Sequence, residues 1–184
     1  MTQLGLNQVQ NCYSVDAGIM FNLEYHFPQD LFRPVWDEIA KLASQDRWKI
    51  FSVVAQEVHS ANVHKWLEVN SSAIMHWSDT INSYMNRLMT ELQANNMMLV
   101  NPNSTKNNGD PFVVMLALYF EERDLSDLKK KTCSKTCCVL TTEKFNAKKI
   151  NIPSVCQYYG ISCMDLHDFM RHHGWEISVS VKNP

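Results

Sequence analysis

The sequence predicts an α/β fold in three layers, with a central, mainly parallel sheet of four to five strands covered by helices on both faces. Two observations carry this reading. Four short β-prone apolar segments are spread along the chain, and stretches of helical apolar spacing lie between them, so that strand and helix alternate in short βα units. With 184 residues, 45% of them apolar and 20% charged, the composition is that of one globular domain. Cys12–Val15 forms the first strand and runs into Asp16. Pro28-Gln29-Asp30 opens a helix on which Leu31, Val35, Trp36, Ile39 and Leu42 recur at helical spacing, with Asp30 as its cap. Lys49–Ser52 is the second strand, and Val53, Val54 and Val58 lead into a short helix carrying Glu57. From His64 to about Gln93 the pattern is helical, with Trp66, Leu67, Ile74, Trp77, Ile81, Tyr84, Leu88 and Leu92 on its apolar positions; Trp36, Trp66 and Trp77 read as core.

Asn101–Asn108 is rich in turn formers and reads as a loop. Asp110-Pro111 then starts a helix through Phe120, with Asp fitting the N-cap and Pro the first helical position. A charged stretch follows from Glu121 to Lys131. Cys138–Leu140 is the third strand, ending at Thr141-Thr142-Glu143, and Ile161–Met164 is the fourth. Asp165 caps a last helix through Arg171, and the alternation in Glu176–Val181 suits an edge strand. The domain organisation read from this is a tail over 1–10, one domain over 11–176, and a tail or edge strand over 177–184.

Several function classes drop out. The longest apolar run, Pro111–Phe120, is about half the roughly 18 residues a spanning helix needs. The first ten residues are polar and uncharged, unlike a signal or transit peptide, and the six cysteines read as reduced thiols, so a cytoplasmic protein without membrane contact is expected. Five glycines, at 5, 18, 109, 160 and 174, are too scattered for a glycine-rich phosphate loop. There is no CxxC pair for structural zinc, no HExxH, and no GxSxG nucleophile elbow.

In open α/β sheets ligands bind beyond the carboxyl ends of the strands. Asp16, Glu57 and Glu143 follow the first three strands, and Asp110 opens a helix at the same edge. Spacings of 41, 53 and 33 residues make this no local motif; only a fold brings the four together. Carboxylates gathered without a cationic partner repel one another unless a cation joins them, and Mg²⁺ or Mn²⁺ takes such oxygen ligands. Each acid also has an ordinary reading: helix cap for Asp110, solvated helix acid for Glu57, loop acid for Glu143, and strand-end turn residue for Asp16. The formal net charge of −2 gives no overall nucleic-acid signature, yet residues 129–149 hold seven lysines against one acid, a local +6. Lys129, Lys130, Lys131, Lys144 and Lys148 are either a solvated surface or a rim that contacts substrate phosphates.

Tyr13-Ser14-Val15-Asp16-Ala17 resembles the opening strand of PIN domains. The remainder is similar to a narrower PIN-like family, described as a domain of unknown function and often found in bacterial toxin–antitoxin loci. The segments carrying this likeness are 27–32 with Trp36, 52–58 with Glu57, Gly109-Asp110-Pro111-Phe112, 139–143, 149–156 and 160–163. The resemblance implies a Mg²⁺- or Mn²⁺-dependent endoribonuclease, the toxin of a type II toxin–antitoxin pair. Asp16, Glu57, Asp110 and Glu143 would be its metal-holding acids, with Thr141 orienting the site. It further implies an RNA substrate and a cognate antitoxin, and it admits a homodimer. The alternatives are a non-catalytic PIN-like module that engages a protein partner through these same surfaces, and a nuclease acting on DNA.

Overall fold

The computed structural model describes residues 11–99 and 108–178. Its centre is a five-stranded sheet in which every paired neighbour runs parallel, in the order Ile74–Met75, Trp48–Phe51, Cys12–Val15, Cys137–Leu140 and Ser162–Met164. The strands are β1 (Cys12–Val15), β2 (Trp48–Phe51), β3 (Ile74–Met75), β6 (Cys137–Leu140) and β7 (Ser162–Met164). A separate antiparallel hairpin is made by β4 (Arg123–Asp124) and β5 (Asp127–Lys131). The helices are α1 (Ala17–His26), α2 (Arg33–Ser44), α3 (Ser52–Gln56), α4 (Ala61–Val69), α5 (Asp79–Ala94), α6 (Asp110–Phe120), α7 (Ile152–Tyr159) and α8 (Leu166–His172). The result is the three-layer α/β/α arrangement expected of βα units. Among the described residues, no helix is long and apolar enough to cross a membrane.

The sheet is buried on both faces, as a parallel sheet must be. All residues of β1, β2 and β6 are buried, which explains why these strands read as continuous apolar runs rather than alternating ones. Lys49 is the exception in β2. Its stem lies in the sheet while its ammonium donates to Ser72 O and pairs with Asp46. Helix α6 lies across β1, and the Ser14 hydroxyl donates to Val113 O at 2.7 Å to fix the helix against the strand. That bond satisfies a buried hydroxyl and sets the height of Asp110 relative to Asp16.

Several expectations are corrected. Asp30 caps nothing: residues 28–32 form a turn in which Leu31 and Phe32 N–H donate to Pro28 O, and α2 starts at Arg33 with Pro34 in its first turn. Proline sets that start because its fixed φ suits the first turn and its missing N–H is not needed there. The pattern from His64 to Gln93 is not one helix. Asn70 ends α4, a 3₁₀ turn at Ser71–Ala73 reverses the chain, β3 joins the sheet, and the Ser78 hydroxyl caps α5 by accepting from Ile81 N–H. The charged stretch 121–131 is the β4–β5 hairpin, with Glu121, Arg123 and Leu128 buried and its lysines exposed. Glu176–Ser178 form no strand, and the sheet's edges are β3 and β7. Residues 1–10, 101–107 and 179–184, on which the tail, loop and remaining edge-strand expectations fall, lie outside the described residues. Helices α1 and α7 are additions to the elements read from the pattern.

Candidate functional site

Parallel register brings the carboxyl ends of β1 and β6 side by side, with Val15 opposite Leu140. Asp16 N–H continues the ladder by donating to Leu140 O at 2.9 Å, so Asp16 and Thr141 leave the sheet at one height. The Thr141 hydroxyl then donates to Asp16 Oδ2 at 2.8 Å and accepts from Glu143 N–H at 3.1 Å. Thr141 is buried, and its one hydroxyl ties the carboxylate after β1 to the backbone turn that carries Glu143. Glu143 is held in turn, its Oε2 accepting from Ile152 N–H at 2.9 Å at the start of α7. Asn151 closes the same loop: its side chain accepts from Ser154 N–H as the α7 cap and donates to Lys144 O.

From the other side come α3 and α6. Glu57 is not on the short helix but just past it, as the C-terminal cap of α3. Its Oε1 accepts from Gly109 N–H at 2.7 Å. Asp110 is the first helical residue of α6 rather than its cap. Gly109 occupies the cap position, and Asp110 N–H donates to Asn108 Oδ1 at 3.0 Å. The Asp110 carboxylate is thereby released from backbone duty.

Two glycines shape this edge by close approach. A Cβ on Gly109 would sit 2.8 Å from Glu57 Oε2 and 3.0 Å from Val54 Cγ2, and one on Gly18 would sit 2.5 Å from Thr142 Oγ1 and 3.4 Å from Asp16 Oδ2. The glycines that cannot make a phosphate loop instead let the backbone crowd two of the acids. Sequence spacing carried no signal for this, nor for the supporting roles of Asn108 and Ser14.

The acids act on one another in pairs: Asp110 feels Glu143 and Asp16, Asp16 feels Glu143, and Glu57 feels Asp110. Burial, and then the charges of Glu143 and Asp16, push the Asp110 carboxyl up to about 6, against smaller downward pulls from Asn108 and Lys149. Asp16 is raised by burial and by Glu143, although the Thr141 hydroxyl bond and the nearby Gly18 and Ala17 N–H groups oppose it. Glu57 is raised by burial and by Asp110, against the Gly109 N–H and His59. Burial is the larger cause at each of these three acids, and like charge adds to it. Among the described residues, no three His, Cys, Asp or Glu side chains are drawn close enough to form a metal-holding group. The acids share one edge and feel each other's charge, each of Asp16, Glu57 and Glu143 being anchored through one oxygen.

The lysines divide. Lys144, Lys148 and Lys149 are exposed on the loop that follows Glu143, and Lys149 acts on Asp110. Lys129, Lys130 and Lys131 are not brought to the acids. They lie on β5, where Lys131 Nζ pairs with Glu121 Oε1 at 2.7 Å, Lys130 pairs with Asp124 at 3.6 Å, and Lys129 Nζ stands 3.6 Å from the centre of the Tyr158 ring. Glu121 caps the C-terminal end of α6, about 16 Å along the helix from Asp110 at 1.5 Å per residue. Trp36 and Trp66 are buried as core residues, whereas Trp77 is half exposed. Two grooves, of about 800 Å³ beside Trp36 and Trp66 and about 520 Å³ beside Arg47 and Tyr119, lie away from the acids. Neither groove is lined by Asp16, Glu57, Asp110 or Glu143.

Residues 128–177 match the model of a family described as Domain of unknown function (DUF4411). That segment holds Thr141 and Glu143 but not Asp16, Glu57 or Asp110. No curated protein and no solved structure matches the chain.

Proposed function

We propose that this chain is a metal-dependent endoribonuclease of PIN-like type, acting in the cytoplasm as the toxin of a type II toxin–antitoxin pair with a cognate antitoxin. One observation carries the reading: the acids after β1, α3 and β6 and at the start of α6 lie along the carboxyl edge of the sheet, where burial, and then the charges of Glu143 and Asp16, lift Asp110 to about 6. A hard divalent cation fits this donor set, since it relieves the repulsion and takes carboxylate oxygens and water. Asp16, Asp110 and Glu143 would hold Mg²⁺ or Mn²⁺, with Glu57 completing the shell directly or through water. Such an ion lowers the pKa of bound water and neutralises charge building on a phosphodiester. The chain's own part is orientation. Thr141 fixes Asp16, the Ile152 N–H fixes Glu143, and the Gly109 N–H fixes Glu57. Lys144, Lys148 and Lys149 supply positive charge beside the acids for RNA phosphates.

A second reading has its own support. Glu57 and Glu143 each spend an oxygen on a backbone N–H, and no three acids close into a metal-holding group among the described residues. The acids would then be structural anchors of a non-catalytic module that binds a protein. Brief induction separates the readings, with RNA 5′ ends mapped for the wild type and for Asp16→Asn and Asp110→Asn. Growth arrest with discrete new RNA ends in the wild type alone is expected. Undiminished arrest in both variants contradicts the nuclease, and new ends in DNA rather than RNA would redirect it to DNA.

A further inference from the structure

Trp77 lies in the connection between β3 and α5, just past the carboxyl end of β3, and half of its surface is exposed. The rest of its ring is fixed by two edge-to-face contacts, with Phe51 at 5.2 Å and 90° and with Phe112 at 5.4 Å and 83°. Phe51 and Phe112 stack on each other at 5.1 Å and 13°. Both supports belong to the acidic edge: Phe112 shares the first turn of α6 with Asp110, and Phe51 leads directly into the helix that Glu57 terminates. The indole is therefore braced, half exposed, and packed on residues that neighbour Asp110 and Glu57 in the chain.

The opposite flank has the complementary chemistry. Two residues after Glu143, Phe145 is 58% exposed, and exposed Lys144 and Lys149 stand on the same loop. Sheet order puts this flank beyond β6 and Trp77 beyond β3, three strand spacings apart, or about 14 Å. Exposed aromatic faces interleaved with lysines are what a single strand uses, because bases stack on the rings while phosphates meet the charges. A duplex has no unstacked base to offer such a ring.

We infer that Trp77, braced by Phe51 and Phe112, is a stacking platform for an unpaired base of a single-stranded RNA lying across the acidic edge, with Phe145 and Lys144 engaging the strand on the far side. This rests on the nuclease reading and adds to it a residue, Trp77, that selects which stretch of the RNA lies on the acids, one with a base free to stack. A rigid indole at one end of the edge makes Trp77 a specificity-determining residue and leaves the acids to the reaction.

The test is fluorescence anisotropy of a labelled oligoadenylate on the full chain carrying Asp16→Asn, so that cleavage does not intervene. Trp77→Leu, which keeps apolar bulk but removes the π face, is expected to weaken binding about 10-fold, and Trp77→Phe to stay within about threefold of the parent. Pairing the oligoadenylate with its complement is expected to weaken binding by a similar factor. Equal affinity of Trp77→Leu and the parent, duplex binding as tight as the single strand, or no binding by the parent each overturns the platform. Mn²⁺-dependent RNA cleavage by the chain with Asp16 intact reports the nuclease separately. Cleavage with Trp77-independent binding removes the platform alone, and Trp77-dependent binding without cleavage removes the nuclease alone.

Discussion

Helix α6 has a charged cluster at each end, and the two ends treat charge in opposite ways. Past Phe120, Glu121 is buried and fully engaged: Oε2 accepts from Arg123 Nε and Nη2, while Oε1 accepts from Lys131 Nζ and from Cys137 N–H. Arg123, itself buried, donates from Nη1 to the Leu128 and Lys129 carbonyls. At the Asp110 end, acids accumulate from four segments, and the exposed Lys149 opposes their charge at Asp110 only as a smaller influence. Charge that a protein has already paired internally is architecture; charge left in mutual repulsion is available to a ligand.

This contrast breaks most readily at the paired end. Glu121→Gln would strand the buried Arg123 guanidinium, and a loss of about 3–5 kcal/mol in denaturant-measured stability is expected, with cleavage per folded molecule unchanged. A variant as stable as the wild type would mean that the hairpin is not held by this network.

The unpaired end should answer to pH and metal. Folding raises the Asp110 carboxyl to about 6 from roughly 3.9 in an unfolded chain. A raised acid favours the fold fully below its unfolded pKa, and that contribution is lost as pH climbs through the folded value. Thermal melts should therefore show the wild type losing stability relative to Asp110→Asn between about pH 4 and 6. Mn²⁺ should restore it at neutral pH, do nothing near pH 4, and leave Asp110→Asn unmoved. Parallel pH profiles for the two proteins would contradict the electrostatic account.

The smallest effect belongs to the hairpin surface. The Lys130–Asp124 pair is exposed, so Lys130→Ala should change stability by no more than about 0.5 kcal/mol and leave RNA cleavage and its salt dependence alone. Lys149→Ala, in contrast, should lower RNA affinity and flatten the salt dependence. The reverse result would move the phosphate rim back to the hairpin.

The layered α/β fold was legible in the sequence, and so was the juxtaposition of two of the acids, for a physical reason. Asp16 and Glu143 each follow a short apolar strand, and parallel pairing aligns strand ends without further information, so strand recognition alone places them together. Asp110 came with its Pro111 signal for a helix start, though the backbone gives the cap to Gly109. Helix α1 escaped because Ile19, Met20 and Leu23 are buried without a clean polar stripe opposite them. Trp77 kept helical spacing with Ile81 and Tyr84 but lies two residues before α5 begins, so periodicity assigned it to a core it only half enters. The neutralisation of Lys131 by Glu121 depends on a hairpin that brings residues ten apart into contact, which a charge count over residues 129–149 does not register.

The most direct test of the central claim is cleavage of an end-labelled single-stranded RNA by the purified chain, with Mn²⁺ and with chelator, for the wild type and Asp110→Asn. The account predicts discrete products from the wild type with Mn²⁺, at least about 100-fold slower cleavage by Asp110→Asn, and none with chelator. Equal cleavage by both proteins, cleavage that survives chelation, or an intact RNA under every condition would contradict it.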